Sequence, residues 1–458
     1  MMFRFVSFLA VSLSLSLTAI AGGISAVPDW SQEGNVADAW YGGSVQGAGD
    51  VNGDGYADFL VGAPGFSPTP GNARGRAFLY LGSPIGASTS YAWMVEGQAS
   101  GDKTGTVAAA GDVNGDGYSD VMIGSPGWNG TRGRVQVFFG SSQGLSTSED
   151  WFFEGTDPGS FAGQAIATAG DVNGDGYSDI LIGLQYETNT MTQQGRALLF
   201  LGSSSGPALL PVWDHLGTET RERFGAQVAP AGDVNGDGLS DFLVGSRRED
   251  VSFAGRASLF LGSATPASIT ASWSPTGNAN DDLGFSLSTA GDANGDGYSD
   301  IAVCVPGIDT VQIYNGSGTG PSLTPSRSLS VPGVNYAYKA AAAGDVNGDG
   351  YADLIVGAQG TGRAYVYAGS ATGLKTTPLW SRSDGEPSFG ENVATAGDIN
   401  GNGCSDLLIG AHLKDNGQTD EGKALRLSRR PQDVRQHFRG HLHGSPGREA
   451  RVTDRQRG

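Results

Sequence analysis

Apolar positions in this chain fall in short blocks separated by Gly, Asp, Asn and Ser, a pattern that predicts many brief strands joined by tight turns. One kind of block is a continuous apolar run, such as Phe59-Leu60-Val61-Gly62-Ala63-Pro64 or Leu354-Ile355-Val356-Gly357-Ala358. Continuous runs mark strands covered on both faces. A Gly-rich, often aromatic turn and a small-residue strand precede the runs, as in Phe224-Gly225-Ala226-Gln227-Val228 and Phe389-Gly390-Glu391-Asn392-Val393. A strand opened by Gly-Arg follows, as in Gly75-Arg76-Ala77-Phe78 and Gly195-Arg196-Ala197-Leu198. A strand led by Trp and ending in Gly closes the group (Trp93, Trp151, Trp213, Trp273, Trp380), with Leu329 in place of Trp once.

This succession keeps phase with a polar string, Asp-x-Asn-Gly-Asp-Gly-x-x-Asp, that begins at Asp50, Asp112, Asp171, Asp233, Asp292, Asp345 and Asp398. The starts lie 53 to 62 residues apart, and such a period marks a solenoid, propeller or array. Each unit reads as four antiparallel strands, one propeller blade. One Trp strand, residues 28–34, is left over before the first unit, and the last unit lacks its own. Pairing the two closes a ring with no open edge. The expected fold is therefore all-β, a seven-bladed β-propeller over residues 28–427 closed by an N-terminal strand. Its units are expected at about 40–97, 104–155, 161–217, 223–277, 283–333, 336–385 and 389–427.

Composition agrees. Gly contributes 75 of 458 residues, yet no Gly-X-Y register exists and 38% of the chain is apolar, which excludes collagen and low-complexity disorder. The net charge of −19 argues against nucleic acid and anionic membranes as partners. Two Cys, Cys304 and Cys404, cannot staple a fold of this size. They lie in non-neighbouring blades, so buried or semi-buried free thiols are expected rather than a disulfide.

The polar strings carry the candidate chemistry. Position 1 is Asp in every copy. Position 3 is Asn52, Asn114, Asn173, Asn235, Asn294, Asn347 and Asn400; position 5 is Asp54, Asp116, Asp175, Asp237, Asp296, Asp349 and Asn402. Position 9 is Asp58, Asp120, Asp179, Asp241, Asp300, Asp353 and Asp406. The carbonyl of position 7 adds a donor at Tyr56, Tyr118, Tyr177, Leu239, Tyr298, Tyr351 and Cys404. Hard oxygen donors in a tight glycine-bearing loop suit Ca²⁺, and three carboxylates in nine residues repel one another without a cation. An EF-hand or dockerin would need a helix at position 12, where this chain has apolar residues in β-rich runs. A bare Asx-turn hairpin is the alternative without metal. Up to seven Ca²⁺ are expected, the site with Asn402 the weakest.

The ends differ from the repeats. Residues 1–21 have Arg4 before a Ser-diluted apolar stretch and Ala19-Ile20-Ala21 as a cleavage site, which reads as an export signal rather than a membrane anchor. From Arg426 onward nine Arg face three acids, and residues 428–458 are expected to be a basic tail, disordered or out of frame. His437, His441 and His443 lie there, where a disordered tail outweighs a metal site.

The unit resembles the FG-GAP repeat of the integrin α-subunit propeller. Phe224-Gly225 and Phe389-Gly390 match its Phe-Gly element, and Gly62-Ala63-Pro64 its Gly-Ala-Pro element. Gly-Ala-Pro becomes Gly124-Ser125-Pro126, Gly245-Ser246-Arg247 or Gly410-Ala411-His412 elsewhere, and loops in all seven units exceed the usual integrin-like number. The resemblance implies structural Ca²⁺ loops on a lower face and partners on upper loops. Those would be residues 65–74, 127–132, 184–194, 246–254 and 412–421, with Arg247, Arg248, Glu249, Asp250, Trp128 and Tyr186 as candidates. The expected function is a secreted, extracellular or periplasmic, monomeric and non-catalytic adhesion module for a protein or glycan. A lectin-type propeller is the alternative, and a polysaccharide lyase-like enzyme a weaker one, since every carboxylate cluster recurs as a loop and only His215 and His412 lie outside the tail.

Overall fold

The first unit shows how the repeat folds. In this computed structural model, which describes residues 23–429 apart from 26, 70, 332–335 and 387, β1 (Trp30–Glu33) is followed by β2 (Ser44–Gly49), β3 (Asp58–Ala63), β4 (Arg76–Tyr80) and β5 (Trp93–Glu96). Strands β2 to β5 form one antiparallel sheet in chain order. The same order recurs in five further sheets spanning residues 106–154, 165–216, 224–273, 287–330 and 336–383. The last sheet takes its first three strands from Asn392–Gly397, Asp406–Ala411 and Lys423–Leu427. Its outer strand is β1, with Trp30 opposite Arg426 and Glu33 opposite Lys423. The chain is an all-β, seven-bladed propeller in which the first strand completes the last blade, as the leftover Trp strand predicts. The export-signal segment, and the tail from residue 430 with His437, His441 and His443, lie outside the described residues.

The continuous apolar runs become the second strand of each blade, and all six residues of β3 and its six counterparts are buried. Their side chains pack into the neighbouring blades. Phe59 and Val61 of the first blade share a cluster with Ala394 and Leu408 of the last. Such burial contributes about 1.5–3 kcal/mol per large side chain. Cys304 and Cys404 are both buried free thiols.

Two glycine positions show why the repeat needs Gly. Gly49 ends β2 at φ +77° where the register to β3 slips by one residue, a bulge that turns the chain into the loop. At Gly62, a Cβ would come 1.8 Å from the Gly105 carbonyl oxygen of the next blade. Only a residue without a side chain allows that approach.

Candidate metal loops and the opposite face

Each polar string links the innermost strand of a blade to the buried second strand, so all seven loops emerge at one end of the propeller. A strand rather than a helix follows every loop, which rules out the EF-hand geometry. In the first loop the Asp50 carboxylate accepts bonds from the N–H groups of Gly53 (2.7 Å), Asp54 (3.1 Å) and Gly55 (2.8 Å). Asn52 Nδ2 donates to Asp54 Oδ2 at 3.0 Å, and Asp54 Oδ1 accepts from Tyr56 N–H at 3.0 Å. The second to fifth loops repeat this scheme, for example through Asp112, Asn114 and Asp116. In the sixth, Asn347 turns toward Asp353 instead, at 3.4 Å.

Position 9 behaves differently. Asp58 is fully buried, its Oδ2 accepting from Val51 N–H (3.0 Å) and its Oδ1 from Gly82 N–H (2.8 Å). Burial pushes its carboxyl up to about 7, and the nearby Asp54 and Asp50 charges add to the rise. The same cause raises Asp120, Asp179, Asp300 and Asp353 to about 7 and Asp241 to about 6. Each of these carboxylates braces two segments of its own blade. That role was not legible in the spacing.

The loops are also tied to one another. The N–H at position 8 donates to the position-1 carbonyl of the preceding blade, Ser119 to Asp50 at 3.0 Å and Ser178 to Asp112 at 2.9 Å. Ala57 to Asp398, at 3.1 Å, closes the circle. Position 7 packs across the same seam: a Cβ on Gly53 would meet Tyr118 Cε1 at 2.7 Å.

The seventh loop departs from the others. Arg429 stands where the first blade has Gly82, and Asp406 Oδ1 is buried without a hydrogen-bond partner among the described residues. Arg426, 2% exposed at a position that is Leu79 in the first blade, pairs with Asp29 and reaches Asp406 Oδ2 at 3.3 Å. Burial still raises Asp406 to about 7, with the Arg426 charge opposing it.

The donor chemistry fits a hard divalent cation. Positions 1, 3, 5 and 9 supply only oxygens, and among the described residues none of the position-1 and position-5 carboxylates in the first six loops has a cationic partner. The carboxylates are, however, turned onto backbone N–H groups, and among the described residues no three or more His, Cys, Asp or Glu side chains converge as a metal cluster. Amide and carbonyl oxygens are needed to complete any set.

The opposite end carries the connections expected to meet partners. Much of their charge is engaged locally: Arg247 pairs with Asp282 at 2.7 Å, Arg248 with Glu219 at 2.5 Å and Glu249 with Arg223 at 2.8 Å. Tyr186 lies under the Arg223 guanidinium at 4.5 Å, and Trp128 under that of Arg134 at 4.7 Å. The side chain of Asp250 lies outside the described atoms. Sequence reasoning missed a pocket of about 440 Å³ where Arg247, Phe253, Asp282, Phe285, Tyr338 and Gln359 meet. Phe285 and Tyr338 are 4.8 Å apart, and Arg247 lies 5.1 Å from the Phe285 ring. Nothing local in sequence distinguishes Phe285 or Tyr338; the pocket exists only where residues of three blades meet.

The FG-GAP repeat family matches residues 41–80, 104–138, 162–200 and 224–260, and the FG-GAP-like repeat family matches 292–356 and 345–409. Integrin alpha-IIb of Mus musculus is 34% identical over 223 residues, covering 46% of this chain and 21% of that one. Integrin alpha-V of Gallus gallus is 29% identical over 220 residues, again 46% and 21%. Phosphatidylinositol-glycan-specific phospholipase D of Bos taurus is 34% identical over 169 residues, covering 34% of this chain and 20% of that one. The chain thus spans about a fifth of these curated relatives. Among solved structures, BBS1N in complex with ARL6DN has a TM-score of 0.51 and 11% identity, covering 88% of this chain and 97% of that one, a likeness of fold alone. With family matches in every blade and integrin α-subunits among its relatives, the chain is an integrin-α-like FG-GAP repeat protein.

Proposed function

We propose that this chain is an extracellular, calcium-stabilised propeller that acts as a non-catalytic binding or adhesion module for a protein or glycan. The observation that carries the reading is the difference between its two ends. One end repeats a single oxygen-rich loop seven times and joins the copies by hydrogen bonds, as a structural element would. The other has connections of unequal length and a mixed aromatic and polar pocket, the usual place for binding residues on a rigid scaffold.

Ca²⁺ would be held by the side chains at positions 1, 3, 5 and 9 and the carbonyl at position 7. When bound it supplies positive charge to the carboxylates and fixes the loop; the chemistry is structural. The seventh site is the weakest, because Asn402 removes one charge and Arg426 approaches Asp406. The pocket of Phe253, Phe285 and Tyr338 offers ring faces beside the Arg247–Asp282 pair, an arrangement that accepts a sugar ring or a peptide side chain.

The test uses the Ca²⁺-loaded chain against a glycan array and against immobilised envelope and matrix proteins. Binding that is lost in Tyr338→Ala and Phe285→Ala is expected. Release of unsaturated uronides from pectic polymers would overturn the non-catalytic reading.

A further inference from the structure

The axial channel, about 400 Å³, is lined by the innermost strands of all seven blades. At one rung of that lining Ser44, Thr106, Ala165, Gln227, Lys339 and Asn392 occupy the same register, each opposite a glycine of its own second strand. Five of the six are neutral. Lys339 is the exception, and among the described residues no carboxylate or other side chain is bonded to its ammonium. The channel leaves part of the side chain accessible, yet burial holds the ammonium below the usual lysine range.

The surroundings of Lys339 break the repeat in two further places. Cys304 stands in the fifth blade where its counterparts are Gly62, Gly124 and Gly357, and Ala337 (φ +64°) stands where the first, second and seventh blades have Gly42, Gly105 and Gly390. The Cys304 thiol lies near Lys339, but burial pushes it up to about 12, so it stays neutral and supplies no counter-charge. Asn392, one blade on at the same rung, has no side-chain partner among the described residues. Cys304 and Ala337 join the apolar cluster of Tyr336, Ala340 and Val356, so packing accounts for these two; Lys339, which gains no such contact, is the departure that points to function.

We propose that the axial channel binds a small monocarboxylate anion, with the Lys339 ammonium as counter-ion and channel amides such as Asn392 as hydrogen-bond donors. An ammonium enclosed by channel walls, with no protein counter-charge, gains more from an anion than one on the open surface does. A charge-assisted bond to carboxylate supplies that counter-charge at hydrogen-bond distance. One cation matches one negative charge, and the net charge of −19 disfavours multiply charged anions. This site is independent of the pocket on the binding face, so either can fail alone.

The test titrates the full, Ca²⁺-loaded chain with sodium acetate against sodium chloride at matched ionic strength, by calorimetry and thermal melting. Wild type is expected to show a saturable response to acetate and none to chloride. Lys339→Met is expected to weaken acetate by about tenfold or more, the scale of one hydrogen bond to a charged group. Lys339→Gln, which copies the residue Gln227 holds at this rung, serves the same purpose if the Met variant does not fold. No acetate response in wild type, an equal response in the variants, or an equal response to chloride would each overturn the proposal.

Discussion

Trp30 donates its indole Nε1–H to the carbonyl oxygen of Ser88 at 2.8 Å, joining the closing strand of the last blade to the first. The same bond recurs from Trp93 to Ser146 (2.8 Å), Trp213 to Ile269 (3.0 Å) and Trp273 to Ser322 (2.9 Å). Trp30 also stands edge-on to Phe59 and Tyr80, each at 4.9 Å. The seam where the chain meets itself is therefore built like the other blade junctions. Trp30→Phe, which removes the donor and part of the buried ring, should cost about 1–3 kcal/mol. Trp30→Ala should cost about 3–5 kcal/mol. Urea midpoints measure both, and an unchanged midpoint in Trp30→Ala would show that the first strand does not hold the ring.

Calcium should raise the melting temperature. Extracellular Ca²⁺ modules bind at about 10⁻⁴–10⁻³ M, so 10 mM Ca²⁺ contributes roughly 1.4–2.7 kcal/mol per occupied site by linkage. Superimposed melts in Ca²⁺ and EDTA would count decisively against metal in the loops. Asn402→Asp should strengthen the seventh site, seen as one additional tight equivalent in a Ca²⁺ titration.

Gly62→Ala should destabilise by about 2 kcal/mol or more, the scale of an overpacked contact. Its Cβ would sit 1.8 Å from a backbone oxygen of the next blade, and backbone cannot move aside as a side chain can. A control at Gly318, which like Gly62 has no positive φ and whose nearest contact for a Cβ is 3.5 Å away, isolates the clash. Equal losses at both sites would refute the close-approach explanation.

Burial raises Glu391 to about 7 in the folded state, while it accepts from Gln359 Nε2 at 2.9 Å and lies 3.3 Å from His412 Nδ1. Its folded pKa exceeds the unfolded one, so its contribution is fully present below about pH 4.5 and is lost as pH rises through about 7. Glu391→Gln should thus be more stable than wild type at pH 8, by roughly 1–3 kcal/mol, and close to it at pH 4.5. Melts of the two proteins at both pH values check this; a gain at pH 4.5 alone would reverse the sign and reject it.

Much of this architecture is written locally. A blade is encoded within one repeat, so the spacing of the Asp-led strings, the buried runs and the spare Trp strand is enough to count the blades and locate the closure. The position-1, -3 and -5 donors are legible for the same reason, since their bonds span at most five residues. Other features depend on pairs distant in sequence. Asp58 reads as one more ligand, and only folding shows it bonded to Gly82 across the blade. Arg247 reads as an exposed charge, and only the adjoining blade brings Asp282 to it.

Lys339 is the clearest case, because nothing near it in sequence distinguishes it from a solvated lysine. Local turn chemistry and strand pattern are sufficient to specify the unit, since a strand's burial and a turn's φ follow from a few neighbouring residues. The face that offers a pocket, the acids that brace a blade and the charge left alone in the channel depend on how seven units are brought around one axis. Ring closure makes neighbours of residues that no local rule relates.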